Sequence, residues 1–176
     1  LKAEKLLLAA PDSAIVHGVM AAIRRGGKRF DEATAHARRA TLCEPDHWYG
    51  WHELGYVLHE TDREIEAIAA LDRAVERNPN SYATYLCLGT VLTHLELLDD
   101  AEAALRRSLV LAPLQWAAHN NLSTVRQYVG DMEGCLTHLD EAVARGASDA
   151  SKYNRSFALF AMGRLVEGWE AYDLGY

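Results

Sequence analysis

From Pro45 to Pro79 the chain reads PDHWYGWHELGYVLHETDREIEAIAALDRAVERNP, and the pattern of this stretch organises everything around it. Its two prolines lie 34 residues apart, and the only other prolines, Pro11 and Pro113, continue the same interval on either side. A fixed period running through a chain marks a repeat architecture, in which each unit buries its apolar face against its neighbours. Taking each proline as repeat position 32 starts the repeats at Ala14, Trp48, Tyr82 and Trp116. Position 8 is then Ala21, Gly55, Gly89 and Ser123, position 20 is Ala33, Ala67, Ala101 and Cys135, and position 27 is Ala40, Ala74, Ser108 and Ala142. All three columns are small. Position 7 (Met20, Leu54, Leu88, Leu122) and position 24 (Ala37, Leu71, Leu105, Leu139) are apolar.

These columns predict two antiparallel helices per repeat. Small residues at 8 and 20 let helix A approach its own helix B, and the small residue at 27 admits the next helix A. Trp51, Leu54 and Leu58 stand at i, i+3 and i+7, the spacing of one apolar helix face. Proline at 32 cannot continue helix B and ends each repeat. Asp12 or Ser13, Asp46, Asn80 or Ser81, Asp99 and Asp131 are N-cap types ahead of apolar periodicity.

Composition narrows the function classes. The 176 residues carry 18 Lys+Arg against 25 Asp+Glu, a net charge of -7, with 49% apolar residues. That is an ordinary globular composition, and its acidic balance argues against nucleic-acid and anionic-membrane partners, which are bound through clustered Lys and Arg. Cys43, Cys87 and Cys135 form no CxxC pair, so neither a disulfide framework nor a structural zinc site is expected, and a cytoplasmic location fits best. No secretory signal or membrane-length apolar run is present.

The motif Trp51-x2-Leu54-Gly55-x2-Leu58 followed by Ala67, Leu71, Ala74 and Pro79 resembles the tetratricopeptide repeat (TPR), a helix-turn-helix unit of 34 residues. Tyr85, Leu88, Gly89, Leu92, Ala101, Leu105 and Pro113 repeat it, and Phe30-Asp31-Glu32-Ala33 resembles the opening of the family's helix B. The resemblance implies an all-α, right-handed superhelical solenoid of antiparallel helix pairs over 1–176. Helix B of a partial repeat is expected at 1–11, followed by repeats at 14–47, 48–81, 82–115 and 116–148, and an incomplete fifth at 149–176. The departures are Arg24 and Arg126 at position 11, His17 and His119 at position 4, and Ala147 in place of the fourth repeat's proline. In the fifth repeat, aligning Gly163 with the usual loop glycine starts the count at Asp149 but puts Arg155 at position 7, which leaves two registers open. The chain starts at Leu1 and stops at Tyr176 near the end of a helix B. Uncapped ends would expose apolar faces, so we expect a piece of a longer protein, with self-association compatible with the same exposure.

In this family the concave face is lined by helix A and holds peptide segments. Its groove positions carry over here as Tyr49, His52, Tyr56 and His59 in the second repeat, with Glu53 and Glu60 beside them, and as His94 and Cys87 in the third. The fourth contributes Asn120, Asn121, Thr124, Gln127 and Tyr128, and the fifth Asn154. The expected ligand is a protein or peptide, because Tyr and His offer flat apolar area with a polar tip and Asn or Gln pairs with an extended backbone. The family's basic clamp for a terminal carboxylate is absent, since its positions hold His52, Tyr56, Cys87, Ala117 and Asn121. Of the asparagine ladder at position 6 with which some members grip a backbone, only Asn121 and Asn154 are present.

No catalytic constellation, cofactor motif or metal site is recognised in the sequence. His52 and His59 share a helix face near Glu53, Glu60 and His94, and we read them as polar groove residues. Cys43 and Cys135 fall at positions expected to pack, and Cys87 has no base beside it. The expected function is therefore a protein-interaction scaffold. An alternative follows from Gly163 to Tyr172, a segment that resembles the closing repeat of bacterial arrays preceding a catalytic domain: a recruiting arm of a larger enzyme, such as a glycosyltransferase.

Overall fold

A computed structural model describes residues 9–173, with the side chains followed to Tyr172. Most of the leading helix expected over 1–11 lies outside the described residues. Among those residues there are ten α-helices and no strand: α1 Ala14–Gly26, α2 Phe30–Cys43, α3 Trp48–His59, α4 Glu64–Arg77, α5 Tyr82–His94, α6 Leu98–Leu111, α7 Trp116–Tyr128, α8 Met132–Ala144, α9 Asp149–Ala161 and α10 Leu165–Asp173. None is long and apolar enough to cross a membrane.

The chain forms two compact units, residues 1–91 and 92–176, with the division falling inside α5. In the first, α1 packs on α2, α2 on α3, α3 on α4, and α1 also reaches α3. In the second, α6 packs on α7, α7 on α8, α8 on α9 and α9 on α10. Contacts run between helices close in sequence, as in a solenoid.

The small columns explain the close packing. Ala33, Ala67, Ala101, Ala40, Ala74, Ser108 and Ala142 are completely buried. A Cβ on Gly50 would lie 2.8 Å from Ala40 Cβ and 3.1 Å from that residue's carbonyl carbon, so the small residue at position 27 does admit the following helix A. Within the second repeat a Cβ on Gly55 would lie 2.5 Å from Leu71 Cγ and 3.1 Å from the Ala67 carbonyl oxygen.

One backbone feature fixes the turn inside every pair. Repeat position 15 takes a left-handed conformation in Lys28, Asp62 and Glu96 (each φ 57°), Gly130 (79°) and Gly163 (75°). The next residue's N–H then donates to the carbonyl at position 11: Arg29 to Arg24 (2.8 Å), Arg63 to Leu58, Leu97 to Leu92 (both 3.0 Å), Asp131 to Arg126 (2.9 Å) and Arg164 to Leu159 (3.0 Å). This closes helix A by the six-to-one bond of a Schellman-type end. Gly163 and Leu159 occupy positions 15 and 11 when the fifth repeat is counted from Asp149. In that count the buried Ser151, Ser156 and Ala158 match Ala118, Ser123 and Val125 of the fourth. Arg155, at the otherwise apolar position 7, turns to the surface and donates to Asp140.

Two caps differ from the sequence expectation, the first because of this turn. Leu97, not Asp99, is the N-cap of α6, without a side-chain bond, because the left-handed residue before it sets the start and leaves Asp99 in the first turn. His47 rather than Asp46 caps α3, with Nδ1 accepting from Tyr49 N–H at 3.4 Å. Asp131 caps α8 as expected, accepting from Gly134 N–H at 2.8 Å. Asp131→Ala should lower stability by about 1 kcal/mol. Urea unfolding checks this, with Asp99→Ala as a control that should change little.

Candidate functional site

In the first unit the helix-A residues converge around a buried ion pair. Glu53 is only 3% exposed, and its Oε2 lies 3.4 Å from Arg25 Nε. Burial raises the pKa of the Glu53 carboxyl, while Arg25 and a hydrogen bond from Tyr49 pull it down. Arg25 also lies over the Tyr56 ring, its Cζ 3.7 Å from the centroid, which combines cation–π attraction with the ion pair. Tyr49 is half-buried, and burial followed by the Glu53 charge pushes its phenol up to about 12. Its ring fills the space that a side chain on Gly18 would take, since a Cβ there would lie 2.6 Å from Tyr49 Cδ1.

His52 is buried and does not line an open face. Its Nδ1 lies 3.3 Å from Thr84 Oγ1, which donates in turn to Ser81 Oγ at 2.8 Å. Burial, reinforced by Arg25, lowers its pKa to about 4. His59, half-buried, places Nδ1 2.9 Å from Glu64 Oε2. The two histidines that share a helix face thus turn to separate partners. Cys87, a groove position in the sequence pattern, is buried, and burial pushes its thiol up to about 12, so it carries no nucleophilic thiolate near neutral pH.

In the second unit, Asn120 at repeat position 5 accepts from Ser151 Oγ, at position 3 of the next helix A, at 2.9 Å. His52 and Thr84 occupy the same two positions. Both predicted groove residues therefore tie successive A helices together. Thr124, Gln127 and Asn154 line a cleft of about 280 Å³ with Ser123, Met132, Cys135, Leu139 and Phe157. Phe157 is 64% exposed, so an apolar ring stands at the mouth beside two amides. Asn121 is half-buried, and Tyr128 and His94 are exposed.

The groove residues expected from the sequence omitted three contributors. Arg25 holds position 12 of the first repeat and Phe157 position 9 of the fifth, so the same column rule applied to every repeat would have found both. Met132 comes from the start of a helix B, and no helix-A rule reaches it.

The family model described as tetratricopeptide repeat matches residues 19–82 and 65–115. No curated protein sequence matches the chain. Among solved structures, PilW, a type IV pilus biogenesis factor, is similar at 22% identity and TM-score 0.87, over 96% of this chain and 79% of that one. YrrB, a TPR protein with an unusual peptide-binding site, is 17% identical at TM-score 0.71, over 99% and 91%. In the APC/C hetero-tetramer Cut9-Hcn1 the match is 17% identical at TM-score 0.85, covering 98% of this chain but only 35% of that one. At these identities the likeness shows the fold, an all-α TPR solenoid.

Proposed function

The chain belongs to the tetratricopeptide-repeat family, and from that premise we propose that it is a protein-interaction scaffold whose helix-A surfaces bind an extended peptide segment. The observation that carries this reading is the cleft in the second unit, where Thr124, Gln127 and Asn154 stand beside the exposed Phe157 ring. Amide side chains offer both a donor and an acceptor to a peptide backbone, and the apolar walls suit one side chain of that peptide. In the first unit the partly exposed Tyr49, Tyr56 and His59 provide the corresponding surface. His52, Glu53 and Arg25 hold it in place from beneath, and Asn120 does the same in the second unit.

The test is a peptide selected from a random display library against the wild-type chain, with its Kd then measured for variants. Asn154 and Phe157 are exposed, so their truncation should leave helicity unchanged. Phe157→Ala should weaken binding by about 1–3 kcal/mol, the range of an anchoring aromatic, and Asn154→Ala by less. An unchanged Kd in both would remove the cleft from the binding surface.

A further inference from the structure

Repeat positions 4 and 23 meet between helix A and helix B of the first and fourth repeats, and in the chain they are filled in two ways. The second repeat has Trp51 and Ala70, a large residue with a small one, and the two line one surface pocket. The first repeat has His17 and His36, and the fourth has His119 and His138. The histidines meet: His17 Nδ1 lies 3.0 Å from His36 Nδ1, and His119 Nδ1 lies 3.3 Å from His138 Nδ1, with ring planes tilted by 36° and 42°. A large-with-small pair satisfies the packing at these positions, so packing alone does not call for two imidazoles.

In the first pair one ring already presents its lone pair. His17 Nε2 lies 2.9 Å from the Pro11 carbonyl oxygen, which can only accept, so Nε2 carries the hydrogen and Nδ1 keeps its lone pair. A ring N–H donated to a backbone carbonyl is the usual outer support of a metal-binding histidine. Two nitrogens held about 2.0–2.1 Å from one ion, at an angle of about 90–110°, lie about 2.9–3.4 Å apart, and both pairs fall in that range. His36 is half-buried, so an ion can approach it from solvent. Nearby cations already have carboxylate partners: Arg24 with Glu32, Arg126 and Arg106 with Glu102, and Arg145 with Glu141.

We propose that His17 with His36, and His119 with His138, are two-histidine sites for a divalent transition ion of the imidazole-binding class (copper, nickel or zinc), with water completing the coordination. On binding, the proton on His36 Nδ1 passes to its own Nε2, so both Nδ1 lone pairs reach the ion and no net proton is lost.

The test is calorimetric titration with Zn(II) alone, on wild type, His36→Gln, His138→Gln and the double variant. Each single substitution should weaken one site at least tenfold, the lower end of what even an outer-shell change costs, and the double variant should lose both. Zinc uptake by the double variant equal to that of wild type would overturn the proposal. Where a variant fails to fold, the Cu(II) paramagnetic resonance spectrum of the wild-type chain decides. Hyperfine coupling to two imidazole nitrogens supports the pairs, and coupling to one or none refutes them.

Discussion

Between pH 6.5 and pH 4 the chain should lose about 3 kcal/mol of folding stability through His52 alone. In the folded state burial and Arg25 hold its pKa at about 4, whereas the unfolded ring keeps the ordinary value of 6.5. In that window the unfolded state binds the proton and the folded state does not, so stability is complete above pH 6.5 and falls as the pH drops toward 4. At about 1.4 kcal/mol for each pH unit, the distance from 6.5 to about 4 amounts to about 3 kcal/mol. Glu53 acts with the opposite sign: its raised pKa means the folded state holds that proton more tightly, which favours folding as the pH falls toward 4.5. Comparison with His52→Gln at each pH cancels this second contribution. Gln stays neutral and can still bond Thr84. Urea unfolding of both proteins from pH 4 to 7.5 checks the expectation, and stability curves that remain parallel would contradict it.

Gly55→Ala should change sign with its background. In the wild-type chain the new methyl would meet Leu71 Cγ at 2.5 Å and Cδ2 at 2.8 Å, and this overpacking costs about 1–3 kcal/mol, more than the roughly 1 kcal/mol gained in helix propensity. Leu71→Ala alone empties a completely buried site and should cost about 2–5 kcal/mol. In that background the clash with the leucine is gone and only the 3.1 Å approach to the Ala67 carbonyl oxygen, which a shift of a few tenths of an ångström relieves, remains; the methyl occupies part of the void, and Gly55→Ala should stabilise. A double-mutant cycle by chemical unfolding reads the coupling directly. Additive effects would show that helix A and helix B do not meet through this pair.

Much of the helical organisation was legible in the sequence. The proline interval and the small columns report interactions within one repeat or with the next, and those are the contacts of a solenoid. The left-handed turn residues were less legible, because only Gly130 and Gly163 advertise that conformation; Lys28, Asp62 and Glu96 adopt it because the bond from position 16 to position 11 closes the turn. The same turn explains why Asp99, a good cap by type, is not the cap.

The proposed binding surface was legible only as a set of positions. His52 and Asn120 were expected on an open face, yet each bonds to position 3 of the following helix A, because Thr84 and Ser151 there bring a hydroxyl within reach. Arg25 and Tyr56 are 31 positions apart in the chain and stack at 3.7 Å. A column describes what a position usually faces, but the neighbour one helix away decides whether that residue is free, tied or charged.

By itself, then, the sequence determined the period, the pairing of helices and the small residues at their crossings, since these depend on local spacing and volume. The tertiary structure decided which polar side chains support the helix-A surface, where the cleft beside Phe157 opens, and that two pairs of histidines meet at Nδ1. Each of those depends on residues from different helices arriving at one point, which a pattern along one chain does not encode.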